Sequence, residues 1–326
     1  MAPLLRRLGT AIVLLWLVCT LTFALVHTAP GDAALLLLPP EADAATLSRL
    51  RAELGLNAPL AQQYLRWLGN IATGDLGTSL VTGRAVSESI AEAFPVSMGL
   101  GMASLVLTVL IGVPLGGAQA RRAGSGADTA ITVLSTTVYS APTFWLSLAC
   151  VAAVTVGAAS LGVPSAWRLP AFGMRDPGVL EASAAPFDVL RHAVLPVLVL
   201  ALTGAAGVAR FARSAIVESA RGDVRRTGLA KGLTAKRAWS RHVVRVAWPS
   251  VVALIALSVP GIVAGSVFVE GVFAWPGMGK LLLTAVAQRD HPVILGVTLM
   301  YATAVIVTNL LTDLLLPMLD PRRAAT

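Results

Sequence analysis

The chain has 326 residues, 56% of them hydrophobic and 13% charged, with a mean hydropathy of +0.77, whereas soluble domains carry roughly 25% charged residues. Its apolar residues arrive in long blocks that repeatedly reach the roughly 20 residues a helix needs to cross a bilayer, so an ordinary soluble fold is excluded and an all-α, polytopic membrane protein is expected. The net charge of +8 does not point to nucleic acid, because the basic residues gather at the ends of apolar blocks instead of forming a basic domain with interleaved aromatics.

In chain order, six spans are expected: Leu8 to Val26, Ser97 to Ala120, Ala130 to Gly157, His192 to Phe211, Trp248 to Val269 and Val293 to Pro317. The first follows Arg6 and Arg7. It is longer than the roughly 7–15-residue core of a signal peptide, and no small-x-small cleavage site follows cleanly, so it is expected to be retained. The segment from His27 to Pro95 is too long for an ordinary connection. Within it, Leu47 to Leu54 and Leu60 to Ile71 show helical apolar spacing, which predicts a small helical cap. Ala158 to Arg191 carries Pro164, Pro170, Pro177 and Pro186 and is expected to be mostly irregular. Glu270 to Pro292 is short and holds Trp275, Pro276, Gly277, Met278 and Gly279.

Basic residues set the expected orientation. With both termini in the cytoplasm, sixteen of the 25 Lys and Arg lie inside, ten of them between Arg210 and Arg245; the rest are spread thinly over longer outside loops, as the positive-inside rule requires. The chain then divides into an N-terminal transmembrane helix (1–27), an extracytoplasmic loop or cap (28–95) and a transmembrane core (96–326) with a cytoplasmic loop at 216–246.

Catalytic chemistry is missing from this pattern. The nearest approach to a phosphate-binding G-x-x-x-x-G-K-[ST] loop is Gly279-Lys280-Leu281, which has Ala274 where the first glycine belongs and no hydroxyl for magnesium. Four scattered histidines (His27, His192, His242, His291) make no zinc-ligand pair, and no membrane-embedded serine has a base at matching depth. Cys19 and Cys150 each sit inside an apolar block and are expected to be packing residues. No catalytic or metal-binding residue is expected. Ion-coupled carriers keep ionisable groups inside the membrane; here only Asp313, with Asn309 four residues before it, fits that description, either as a polar contact near the inner interface or as a gate.

Between the fourth and fifth spans, Ile216 to Lys231 is expected to be one helix. Gly232 is suited to end it at positive φ, and Thr234 to cap a second short helix running to about Arg245. This helix-glycine-helix elbow fits a groove on a cytoplasmic partner and can transmit a push to the spans beside it; a solvated basic loop that only sets topology is the competing reading. Likewise Pro260-Gly261, Pro114 with Gly112 and Gly116, and Ser140 with Pro142 are either hinges along a pathway or packing positions. Glu270 and Trp275 to Gly279 are either contacts for an outside protein or, for Trp275, an interfacial anchor.

The run Asp223-Val-Arg-Arg-Thr-Gly-Leu-Ala-Lys-Gly-Leu-Thr-Ala-Lys-Arg237, followed by Arg241-His242 and Pro249, resembles the EAA loop of ABC-importer permeases in the form used by the dipeptide, oligopeptide and nickel group. Gly232 matches its key glycine. Gly228 stands where that form has Ala and is expected to loosen the helix. The resemblance extends over nearly the whole chain: Ala29-Pro-Gly-Asp32, Leu54-Gly-Leu56, Gln63-Tyr-Leu-Arg-Trp-Leu68, Gly74-Asp-Leu-Gly-Thr-Ser79, Ile111-Gly-Val-Pro-Leu-Gly116, Pro142-Thr-Phe-Trp145, Glu270 to Gly279 and Asp320-Pro-Arg322 are similar to the first (B-type) of that group's two permease subunits.

The resemblance implies a type I ABC importer permease fold in a bacterial inner membrane, contacting membrane lipid. Its implied partners are a second homologous permease, two cytoplasmic ATPase subunits that hold the ATP and magnesium, and an extracytoplasmic binding protein. No cofactor is implied in this chain. It assigns ATPase coupling to Thr227, Gly228, Ala230, Lys231, Gly232, Leu233, Thr234, Ala235, Lys236 and Arg237. Pathway or gate candidates are Ser140, Pro142, Pro260, Gly261 and Asp313, and binding-protein contacts are Glu270, Trp275, Pro276, Gly277 and Met278. Peptides are the implied solute, with nickel or another small solute as the alternative; a secondary carrier and an intramembrane enzyme are the rival classes.

Overall fold

Helices account for all the regular structure in the computed structural model, which describes residues 2–28, 38, 43–53, 57–178 and 185–319, apart from one isolated antiparallel bridge between Thr78 and Ala85. The motifs Ala29-Pro-Gly-Asp32, Leu54-Gly-Leu56 and Asp320-Pro-Arg322 fall outside the described residues. In chain order the elements are α1 (Ala2–Thr28), α2 (Ala44–Glu53), α3 (Leu60–Ala72), α4 (Val86–Arg121), α5 (Gly126–Ser140), α6 (Thr143–Ala152), α7 (Ala185–Arg221), α8 (Asp223–Ala230), α9 (Ala235–Ala238), α10 (Val244–Gly265), α11 (Val267–Val272), α12 (Met278–Gln288) and α13 (His291–Leu319). Among the described residues, six stretches are long and apolar enough to cross a membrane: Gly9–Thr28, Val86–Arg121, Thr143–Ser160, Pro186–Arg221, Ala235–Val259 and His291–Leu314.

The third of these corrects the expected span Ala130 to Gly157. Ala141 is extended (φ −71°, ψ 131°), so α5 stops at Ser140 and α6 starts afresh after Pro142. A proline disfavours the helical region for the residue before it, and the apolar composition on both sides hides the break from any hydropathy reading. The fifth expected span is divided too, at Ser266, which separates α10 from α11. Conversely α4 and α7 begin well before their expected first residues. Beyond the helical stretch that ends at Ser160, residues 161–178 are largely irregular, with a single turn of 3₁₀ helix at Ser165–Trp167.

The chain forms two compact units, residues 1–97 with 276–306, and 98–275 with 307–326. In the first, α12 and the starts of α4 and α13 enclose a core of Val86, Ile90, Ala93, Met278, Ala285, Val293 and Val297. The N-terminal helix is tied to α3 by the hydroxyls of Thr20 and Tyr64, 2.6 Å apart, and by Phe23, whose ring meets Tyr64 edge-on at 5.2 Å and Trp67 at 5.5 Å. The loop before α4 is fastened by Asp290, whose carboxylate accepts from Ser79 Oγ at 2.5 Å and from Leu80 N at 3.1 Å. That bond explains the Gly74-Asp-Leu-Gly-Thr-Ser79 run: its serine is a tether for the start of the last helix.

In the second unit α4 and α7 approach to backbone contact. A Cβ added at Gly112 would stand 2.9 Å from Ala205 O, and one at Gly116 only 2.4 Å from Ala209 O. Small residues spaced four apart let helices close in this way within a membrane, so Gly112 and Gly116 are packing positions. Opposing carbonyls cannot step aside as a flexible side chain would. Gly116→Ala is therefore expected to cost about 1–3 kcal/mol, and Gly116→Leu to prevent stable assembly, measured as detergent-extracted monodisperse protein against Gly117→Ala, where nothing stands within 4 Å.

Candidate functional site

Two arms and a turn make the elbow. Helix α7 runs to Arg221 and is interrupted by extended Gly222 (φ −73°, ψ 174°), so the expected single helix from Ile216 to Lys231 is two, α7 and α8. The interruption follows from glycine's poor helix propensity beside Asp223, which opens α8 as an acidic first-turn residue suited to the N-terminal end of the helix dipole. At the far end of α8, Gly232 adopts φ +76°. Leu233 N donates to Gly228 O at 3.2 Å and Gly232 N to Leu229 O at 2.9 Å. This pair of bonds across a left-handed glycine is the Schellman arrangement.

Thr234 then caps the second arm, its hydroxyl accepting from Arg237 N at 3.4 Å. That arm does not stop near Arg245 as expected. It passes from α9 through a wide turn at Trp239–Val243 straight into α10. The elbow's second arm is thus the beginning of the fifth span, because neither glycine nor proline, the strongest helix breakers, stands between Thr234 and Trp248 to end it.

Gly228, expected to loosen its helix, also has a packing role. Gly228 is buried, and a Cβ there would meet Ala238 Cβ at 3.1 Å and His242 Cδ2 at 3.2 Å. Lacking one, it lets the two arms touch. Leu233 is half-buried, while Thr227, Ala230, Lys231, Gly232, Thr234, Ala235, Lys236 and Arg237 are exposed together at the tip. The base is seated on a cluster of Ala120, Ile216, Val243 and Ala247, with Trp239 packed against it. A basic, exposed tip is therefore continuous with a buried base shared by α4, α7 and α10.

One component of this site is invisible in the sequence pattern. Asp128, in the first turn of α5, is buried and receives Arg213 Nε at 2.7 Å and Nη2 at 2.6 Å in a two-pronged ion pair, with Gly124 N donating at 2.9 Å. The guanidinium and the backbone N–H hold this carboxyl down at about 2. Arg213 lies about one turn from Ile216 on α7, so the pair fastens α5 to α7 beside the elbow's base. One turn further along, the Arg210 guanidinium sits 4.2 Å over the Tyr139 ring, continuing the same seam. The two residues of the ion pair are 85 apart in sequence, and only the fold reveals them as partners.

The other candidate residues are scattered. Ser140 and Pro142 are exposed at the break between α5 and α6. Gly261 lines a cavity, Asp313 is exposed on α13, and the Pro260 side chain is outside the described set. Of the residues expected to touch an outside protein, Glu270, Trp275, Gly277 and Met278 are buried and Pro276 is exposed. Ser266 Oγ donates to Glu270 Oε1 at 2.6 Å, and Trp275 N to Glu270 O at 2.9 Å, so this acidic residue organises the turn from inside. At the start of α7, buried His192 has Nδ1 2.9 Å from Asp188 O and Nε2 3.5 Å from Asp176 Oδ1, and Asp176 N donates to Asp188 Oδ2 at 2.7 Å. This polar knot pins the irregular segment to the helix end.

Comparison with known proteins places the chain in a family of membrane transport components. Residues 112–325 match the family described as binding-protein-dependent transport system inner membrane component, and residues 1–101 match that system's N-terminal membrane component. Similar proteins include the oligopeptide transport system permease protein AppB of Bacillus subtilis, 36% identical with 98% of each chain covered. The dipeptide transport system permease protein DppB of Escherichia coli is 34% identical, with 98% of this chain and 97% of that one covered. The di/tripeptide transport system permease protein DppB of Pseudomonas aeruginosa is 36% identical, with 97% of each covered. With its six apolar helices, this chain belongs to the binding-protein-dependent ABC transport permeases and is an integral protein of the inner membrane.

Proposed function

We propose that this chain imports di- or oligopeptides as one of two related permease subunits, each forming half of the path, with ATP and magnesium held by two separate cytoplasmic ATPase subunits. Solute arrives from an extracytoplasmic binding protein. Both termini and the elbow face the cytoplasm, and residues 28–95, with α2 and α3, form a helical cap on the outer side. The peptide assignment is supported by what the three named relatives transport. The orientation is supported by the concentration of basic residues around the elbow.

The observation that carries the coupling role is continuity. A tip held by a Schellman turn and a threonine cap runs without a break into the fifth span and is seated on the fourth. When the ATPase pair closes on nucleotide, a tip lodged in each subunit moves with it. The free energy of closure then biases a bundle with two states, as differential binding to those states requires. Exposed Lys231, Lys236 and Arg237 supply charge for a groove with acidic rims.

Cysteine placed at Ala235, in a chain whose Cys19 and Cys150 are alanine, is expected to cross-link to an ATPase subunit and to resist a membrane-impermeant maleimide added to intact cells. Labelling from outside would overturn the orientation. Failure to cross-link in a complex that still takes up labelled Ala-Ala would overturn the coupling role.

A further inference from the structure

In the second unit, among α4, α6, α7 and α10, lies a cavity of about 280 Å³ lined by six hydroxyl-bearing residues, Ser104, Thr108, Thr143, Thr203, Ser258 and Ser266, with glycine and aliphatic residues between them. The destinations of the hydroxyl protons decide what it can hold. Ser104 donates to Leu100 O at 2.7 Å, Thr108 across the helix interface to Ala201 O at 3.3 Å, and Ser258 to Leu254 O at 2.9 Å. Thr203 is shared between Val199 O and Leu200 O at 3.1 and 3.0 Å. Ser266 donates to Glu270, as described above.

A hydroxyl has one proton and two acceptor positions. Five of the six have already committed the proton, so what they retain for an occupant is lone pairs. Behind Ser266 stands Glu270, fully buried, and no lysine or arginine is among the lining residues. The wall accepts hydrogen bonds and is backed by a carboxylate. An ammonium group, three donors and no acceptor, finds several partners there, whereas a carboxylate would find at most the Thr143 proton and otherwise meet lone pairs, leaving it largely desolvated without compensation. The volume is at the lower edge of small-molecule sites: it admits one end of a peptide rather than its whole length, as a half-path would.

We propose that this cavity receives the α-ammonium end of the transported peptide, and that Glu270, acting through Ser266, is the positioning residue that makes it select for positive charge. The proposal rests on the peptide-permease reading, and its test separates the two. The complete transporter is assembled with this chain carrying Ser258→Cys in the Cys19→Ala, Cys150→Ala background. Alkylation of that cysteine is followed by the mass of the chain, without binding protein, while uptake of labelled Ala-Ala is measured separately on the wild-type complex. Ala-Ala and Ala-Ala amide are expected to protect at concentrations at least about tenfold lower than N-acetyl-Ala-Ala, since specificity here is a difference between a paired and an unpaired group.

Glu270→Gln keeps the oxygen that Ser266 uses and removes the charge; it is expected to bring the three peptides within about threefold of one another. Ser266→Ala, which cuts the link at the other end, is expected to do the same. A purely structural Glu270 would change uptake but leave the ranking of the three peptides intact. Equal protection by all three, or a ranking unchanged in both variants, overturns the proposal while Ala-Ala uptake by the wild type stands. Absence of that uptake overturns the peptide reading and the proposal together.

Discussion

Gly232→Val is expected to lower ATP-driven uptake on the order of tenfold or more while the chain still inserts and extracts normally, with Gly232→Asn retaining most activity and Gly232→Ala falling between. The order follows from what the position demands. Nothing lies within 4 Å of a Cβ built there, so no side chain is excluded for lack of space; the only penalty is φ +76°. That region costs an ordinary residue roughly 1–2 kcal/mol, is visited comparatively readily by Asn, and is worst for a β-branched residue. About 1.4 kcal/mol is a factor of ten in the population of the correct turn. Losing the turn frees the carbonyls of Gly228 and Leu229 from their partners and lets α8 swing away from α9. Uptake and nucleotide hydrolysis by the full complex should then separate, with hydrolysis no longer stimulated by loaded binding protein. Equal activity across the three substitutions would show that the positive φ is not needed.

Much of this elbow was legible because its signals are local. A left-handed glycine, a threonine three residues before the N–H it accepts from, and a run of lysine and arginine act over one turn of chain. The six spans were legible from composition for the same reason, since twenty apolar residues in a row have few other solutions. What escaped depends on the third dimension or on a single backbone angle. Ala141 before Pro142 breaks a span whose hydropathy is continuous, and Gly222 breaks a helix whose apolar spacing continues across it. Gly228 reads as a weak helix former until Ala238 and His242 are found against it. Glu270 reads as a surface acid and is buried beneath Ser266. Ser79 with Asp290 and Asp128 with Arg213 are separated by 211 and 85 residues, and no spacing rule joins acids to partners at such distances.

Asp128→Ala is expected to destabilise the chain by about 2 kcal/mol, the scale of hydrogen bonds to a charged group, and to depress uptake further than that figure alone implies. The substitution removes both prongs that hold Arg213 and the acceptor for Gly124 N, so α5 loses its fastening to α7 where α7 enters the elbow. Arg213→Gln should produce much the same defect. The double variant should cost clearly less than the sum of the two, because residues in one ion pair are coupled. The pH dependence has a definite sign. The Asp128 carboxyl is held down at about 2, below the roughly 3.9 of an unfolded chain. A depressed carboxyl contributes stability that is complete above the unfolded value and is lost as pH falls through the folded one. The stability gap between wild type and Asp128→Asn should therefore stay constant from about pH 8 to pH 5 and close progressively between about pH 4 and pH 2. Additive single variants, or a gap that changes near neutrality, would mean that the link between α5 and α7 is made by other groups.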